Sequence, residues 1–101
     1  MSAAHFVVLY NAPKDPAAFE KYYADTHLPL LAKYAKEIAF THGVLVKFDP
    51  NSPYYRKAEL TFASMDALKK GTSTAGFKLV ADDLPRFASG GFTVLTGVET
   101  P

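Results

Sequence analysis

The hydrophobic pattern of this chain changes period along its length. His5-Phe-Val-Val-Leu-Tyr10 is a dense run of β-formers that stops at Asn11-Ala-Pro13-Lys-Asp15-Pro16, a turn whose prolines and aspartate suit a strand end and a helix start. Asp15 before Pro16 predicts an N-cap followed by a first-turn proline. Beyond it the period lengthens: Phe19, Tyr22, Tyr23, His27, Leu30, Leu31 and Tyr34 fall at offsets 0, 3, 4, 8, 11, 12 and 15, the recurrence of a helix laid on a core. The helix is expected over about residues 16–36, kinked or broken where Pro29 removes an amide hydrogen and crowds the preceding turn.

Two strands follow, over about residues 40–49 and 54–63, joined by Pro50-Asn-Ser-Pro53 as an antiparallel hairpin. Ser64 resembles an N-cap with Gly71 at a C-cap, and Thr74 caps a further helix that ends near Leu84-Pro85. Gly90-Gly91 opens a last strand from Phe92 to Val98. The order β-α-β-β-α-β is the split-βαβ, ferredoxin-like α+β arrangement: a four-stranded antiparallel sheet with helices on one face. Alternation assigns Phe6, Val8, Val44, Val46, Ala58, Leu60, Phe62, Val94 and Val98 to the helix side. The opposite set, His5, Val7, Leu9, Thr41, Gly43, Leu45, Tyr55, Lys57, Glu59, Thr61, Thr93 and Leu95, mixes apolar and hydrogen-bonding groups and suits a lined cavity. A register slip of one residue exchanges the two sets.

Composition narrows the picture. Residues 1–101 read as one domain, and with 14% aromatic residues such a short chain has many large side chains to hide, which points to a pocket or an oligomer. The net charge of +1 offers no basic stripe for nucleic acid. Without cysteine there is no disulfide framework or thiolate nucleophile. No segment approaches the ~20 apolar residues of a membrane helix, so neither a membrane nor a nucleic-acid partner is expected, and the cytoplasm is the expected location.

His27 is a titratable group inside an apolar stripe. The spacing alone favours a core histidine satisfied by one hydrogen bond over a working residue. His5, His27 and His42 form no metal-binding spacing, and no glycine-rich nucleotide loop or serine elbow is present. What remains is a set of acid–base and hydrogen-bonding groups, His27, Tyr23, Tyr10, His5, Tyr55 and Asp83, suited to proton transfer without a cofactor or metal. Asp83-Leu84-Pro85 parallels His27-Leu28-Pro29, and helices side by side on one sheet face place Asp83 where it could hold the imidazole in one tautomer. A solvated helix-end aspartate is the plainer alternative, and the tyrosines read more readily as packing residues.

Several segments together resemble the EthD family, named for a protein of ethyl tert-butyl ether degradation. They are Leu9-Tyr10-Asn-Ala-Pro13 with Asp15-Pro16; Phe19 with Tyr22-Tyr23 and Thr26-His27-Leu-Pro-Leu30; Ser52-Pro-Tyr-Tyr-Arg56 with Ala58-Glu-Leu60; and Ala81-Asp-Asp-Leu-Pro-Arg-Phe87. Where family members often carry Pro-Gly after the first helix, this chain reads Tyr34-Ala35-Lys36-Glu37. The resemblance implies a ferredoxin-like protomer whose sheet packs on a second copy to close a dimeric α/β barrel. Similar barrels include cofactor-free monooxygenases, polyketide cyclases and lactone isomerases acting on small, often aromatic molecules. The expected function is therefore a cofactor-independent isomerase, cyclase or oxygenase with His27 and Asp83 catalytic and Tyr10, Tyr23, Tyr55, His5 and Phe19 around the substrate. The alternatives are a noncatalytic binder of a small hydrophobic molecule in the same barrel, and a purely structural dimer.

Overall fold

The computed structural model describes residues 2–101. Strand β1 (Ala4–Tyr10) leads into α1 (Pro16–Tyr22), a π-helical turn (Tyr23–His27), α2 (Leu28–Lys33) and α3 (Ala35–Ile38). Then come β2 (His42–Lys47), β3 (Arg56–Phe62), α4 (Met65–Gly71), α5 (Ala75–Phe87) and β4 (Phe92–Val98). The strands pair antiparallel in the order β2-β3-β1-β4, the ferredoxin-like topology, with the helices against one face.

Local chemistry explains where the helices begin. The Asp15 side chain accepts from the Ala18 N–H at 3.1 Å, Ser64 from Ala67 at 3.1 Å and Thr74 from Phe77 at 3.2 Å, so each expected cap satisfies an orphan amide. Their ends differ more from expectation. The first helical region breaks at Tyr34 and closes on Ala39, which takes a left-handed φ of 63°. Gly71 is no C-cap but the last residue of α4, seated where a Cβ would run into the Ile38 carbonyl and lie 2.8 Å from the Phe62 ring. Helix α5 continues through Pro85 to Phe87, because Leu84 and Phe87 are both buried and hold the last turn against the core.

The alternation assigned to β1, β3 and β4 matches the pairing: Phe6 lies opposite Leu60, and Val8 between Ala58 and Val94, on the helix side. Strand β2 is one residue out of that phase. Gly43 pairs with Leu60 and Leu45 with Ala58, so Val44 and Val46 belong to the open face. Gly43-Val-Leu-Val46 is apolar in either phase, and only the pairing with β3 chooses between them. Tyr55 also departs from its assigned face. It precedes β3, and its ring meets Phe19 of α1 at 5.1 Å.

Two buried clusters fill the space between sheet and helices. One gathers Val8, Tyr10, Phe19, Tyr23, Leu84 and Phe87; the other Ala4, Ile38, Leu60, Phe62, Leu68 and Val80, with Phe6 packed against both. Among the described residues, none gives the other face of the sheet such a cover. The molecule is only 17 Å thick along its shortest axis, the depth of one sheet and one helical layer, and Val44 and Leu95 stand 37% and 49% exposed on the open face.

Candidate functional site

Pro29 builds the first wall of the site. Without an N–H it cannot bond the Asp25 carbonyl, and its ring crowds that oxygen. The backbone widens instead: the Leu28 N–H reaches the Tyr23 carbonyl, five residues back, to form the π turn. In a regular α-helix of 3.6 residues per turn, Tyr22 and His27 are separated by roughly 140° around the axis. The wider turn brings them to one side, and both reach the same residue of α5.

That residue is Asp83. His27 Nδ1 donates to Asp83 Oδ2 at 3.0 Å, and the Tyr22 hydroxyl donates to Asp83 Oδ1 at 2.6 Å. His27 and Asp83 are 5% and 4% exposed, so the pair is shielded from water. Burial holds the imidazole below its usual pKa, opposed by the hydrogen bond and charge of Asp83. The hydrogen bond to Asp83 in turn raises the Tyr22 phenol. Rings fix the orientation of His27: Tyr23 stacks on it at 5.8 Å and 15°, and Phe87 packs at 4.6 Å. Tyr22 lies in the helical stripe, and its spacing carries no sign of a role beyond packing. Its bond to Asp83 depends on the π turn.

Tyr23 is buried, yet its hydroxyl has no hydrogen-bond partner. Burial pushes its pKa up to about 12, with the Arg56 guanidinium, 5.0 Å over its ring, acting in the opposite sense. Arg56 is itself clamped by Glu20, through Nε at 2.9 Å and Nη2 at 2.6 Å, and the Tyr55 hydroxyl donates to the same carboxylate at 2.9 Å. The Arg56 hydrogen bond is the main reason Glu20 falls to about 2. Tyr55 thus stands behind the site, supporting Phe19 and Glu20. Phe19 stacks on Tyr23 at 5.4 Å, and Tyr10, whose phenol burial pushes up strongly, meets both rings edge-on.

A cavity of about 40 Å³ lies between sheet and helices, and His27 lines it together with Phe6, Val8, Tyr10, Leu60 and Leu84. It lies on the helix side; the opposite face, to which the alternation of polar and apolar groups assigned a cavity, carries a more open depression lined by His5, Val7 and Leu95. With Nδ1 on Asp83, Nε2 is the imidazole nitrogen left for a guest. His5 does not join this group: alternation along β1 turns it to the open face, where Nδ1 meets Glu59 at 2.8 Å and Nε2 meets Glu99 at 2.7 Å. Among the described residues no three His, Cys, Asp or Glu side chains are placed to share a metal ion, and no helix is long and apolar enough to cross a membrane.

Fold and site together define a ferredoxin-like α+β protein with a buried histidine–aspartate pair beside an apolar cavity. The chain belongs to the EthD family, whose domain model matches residues 11–91. It is 36% identical over 95 residues, 92% of either chain, to an uncharacterized 11.0 kDa protein of the thcB-thcC intergenic region of Rhodococcus erythropolis. An EthD family protein from Bacillus halodurans C-125 superposes with a TM-score of 0.84 at 25% identity, covering 99% of this chain and 100% of that one. SnoaB, a cofactor-independent oxygenase from Streptomyces nogalater, shares the fold at a TM-score of 0.66 and 21% identity, over 100% of this chain and 94% of its own. Further ferredoxin-like neighbours, at 8–15% identity, are described as dimeric.

Proposed function

We propose that this protein is a cofactor-independent enzyme of the isomerase, cyclase or oxygenase kind, acting as a homodimer on a small hydrophobic or aromatic molecule. The carrying observation is the His27–Asp83 pair, bonded at 3.0 Å beside an apolar cavity. Nε2 of His27 takes a proton from the substrate and Asp83 stabilises the imidazolium that forms, while the Tyr23 ring, stacked on the imidazole from outside the cavity lining, holds its plane. Proton abstraction of this kind is common to all three reaction types. Tyr10 lines the cavity, and Phe19 stands behind it, edge-on to the Tyr10 ring. A cavity of about 40 Å³ holds little more than water, so an aromatic guest enters by displacing half-buried Leu31, Phe77 and Ala81 of its lining. The cofactor-independent activity of SnoaB on the same fold supports the reading by analogy only.

The test is turnover of a panel of phenolic, quinol and lactone compounds by purified protein without added metal or cofactor. His27→Ala is expected to cost ~10²–10⁴ in rate. Full activity in that variant would falsify the role of His27. Saturable binding with ligand-dependent thermal stabilisation and no product would assign the barrel to ligand capture instead.

A further inference from the structure

We propose that Tyr22 is a positioning residue for His27: its hydroxyl, bound to the second oxygen of Asp83, holds the pair as a carboxylate beside a neutral imidazole whose bare Nε2 is left to the cavity. The inference deepens the catalytic reading above and rests on it for its use, but not for its test.

A buried carboxylate with the imidazole as its one partner concentrates its charge on that ring and favours a second proton there. Asp83 has two partners. The Tyr22 O–H···O bond of 2.6 Å is in the range of a charge-assisted bond to an anion, and it draws charge toward Oδ1 and away from Oδ2, which faces His27. The carboxylate can only accept, so the phenol and Nδ1 are both fixed as donors and the tautomer is set. The other groups around the ring do not take this role. Tyr23 stacks on the imidazole without a hydrogen bond, and Tyr10 borders the same cavity. Arg56 lies across the Tyr23 ring, engaged by Glu20, while Arg86 lies beside Tyr22 on the surface. Tyr22 also packs its ring on Phe87 at 5.5 Å and 20°, so Tyr22→Phe removes the hydroxyl and keeps the packing.

The experiment is an NMR titration of ¹⁵N-histidine-labelled protein without substrate. In the natural protein at pH 7 the His27 signals are expected to report Nδ1 protonated and Nε2 bare. Tyr22→Phe is expected to raise the His27 pKa by about one unit, with the fold retained by thermal melting. Once a substrate is known, the acid limb of the pH–rate profile moves up equally. A folded Tyr22→Phe with an unmoved His27 pKa overturns the proposal. If that variant does not fold, the unaltered protein decides: an Nε2-protonated neutral ring, or a doubly protonated ring at pH 7, refutes it. Loss of the catalytic reading through an active His27→Ala leaves these titrations untouched, so the two failures are distinguishable.

Discussion

Tyr23 carries a hydroxyl into the core with no partner, at a cost of about 1–3 kcal/mol for a desolvated polar group. Its neighbour His27 adds a second cost that depends on pH. Burial lowers the folded-state pKa of His27 below the ~6.5 of an unfolded chain, so the unfolded state binds more protons as the solution acidifies. The contribution of His27 is whole above about pH 6.5 and is lost as pH falls toward its folded value. Glu20, lowered from 4.5 to about 2, adds a second loss below pH 4.5. Denaturant titrations at a series of pH values are expected to show stability falling as the pH drops below about 6.5, and His27→Gln is expected to flatten that fall. An unchanged slope in the variant assigns the loss elsewhere.

At the scale of elements, the π turn and Gly71 decide how the helices meet the sheet. The turn is legible in part: Pro29 announces a break, but a kink, a new helix and a π turn all satisfy the missing N–H, and packing selects among them. The contact between His27 and Asp83 has the same origin. Two parallel tripeptides suggested it, and the side-by-side helices made the distance 3.0 Å. Gly71 sits where α4 passes the Ile38 carbonyl. Alanine favours a helix over glycine by about 1 kcal/mol, yet Gly71→Ala is expected to destabilise by about 1–3 kcal/mol, because its methyl meets backbone rather than a movable side chain. Thermal or urea melting of the variant checks the sign.

For the whole molecule, the uncovered sheet face is the unfinished part. Val44, Val46 and Leu95 supply oil, while His5, held between Glu59 and Glu99, supplies hydrogen-bonding groups on the same surface. A face of that mixture suits a second copy better than open water, in agreement with the homodimer proposed above. Sedimentation is expected to give a dimer at micromolar concentration, and Leu95→Glu is expected to shift it to monomer while leaving far-UV circular dichroism unchanged. A monomeric unaltered protein contradicts the barrel.

The order of elements, the three helix caps, the disturbance of the helix before Pro29 and the helix-side residues of β1, β3 and β4 follow from the sequence by itself, since each rests on contacts within a few residues or on strict alternation. The phase of β2, the cavity beside His27 on the helix side, the partnership of Tyr22 with Asp83 and the isolation of the Tyr23 hydroxyl were decided only in three dimensions. Each depends on groups distant in the chain, and the local pattern of Gly43-Val-Leu-Val46 or Tyr22-Tyr23 is equally consistent with either outcome.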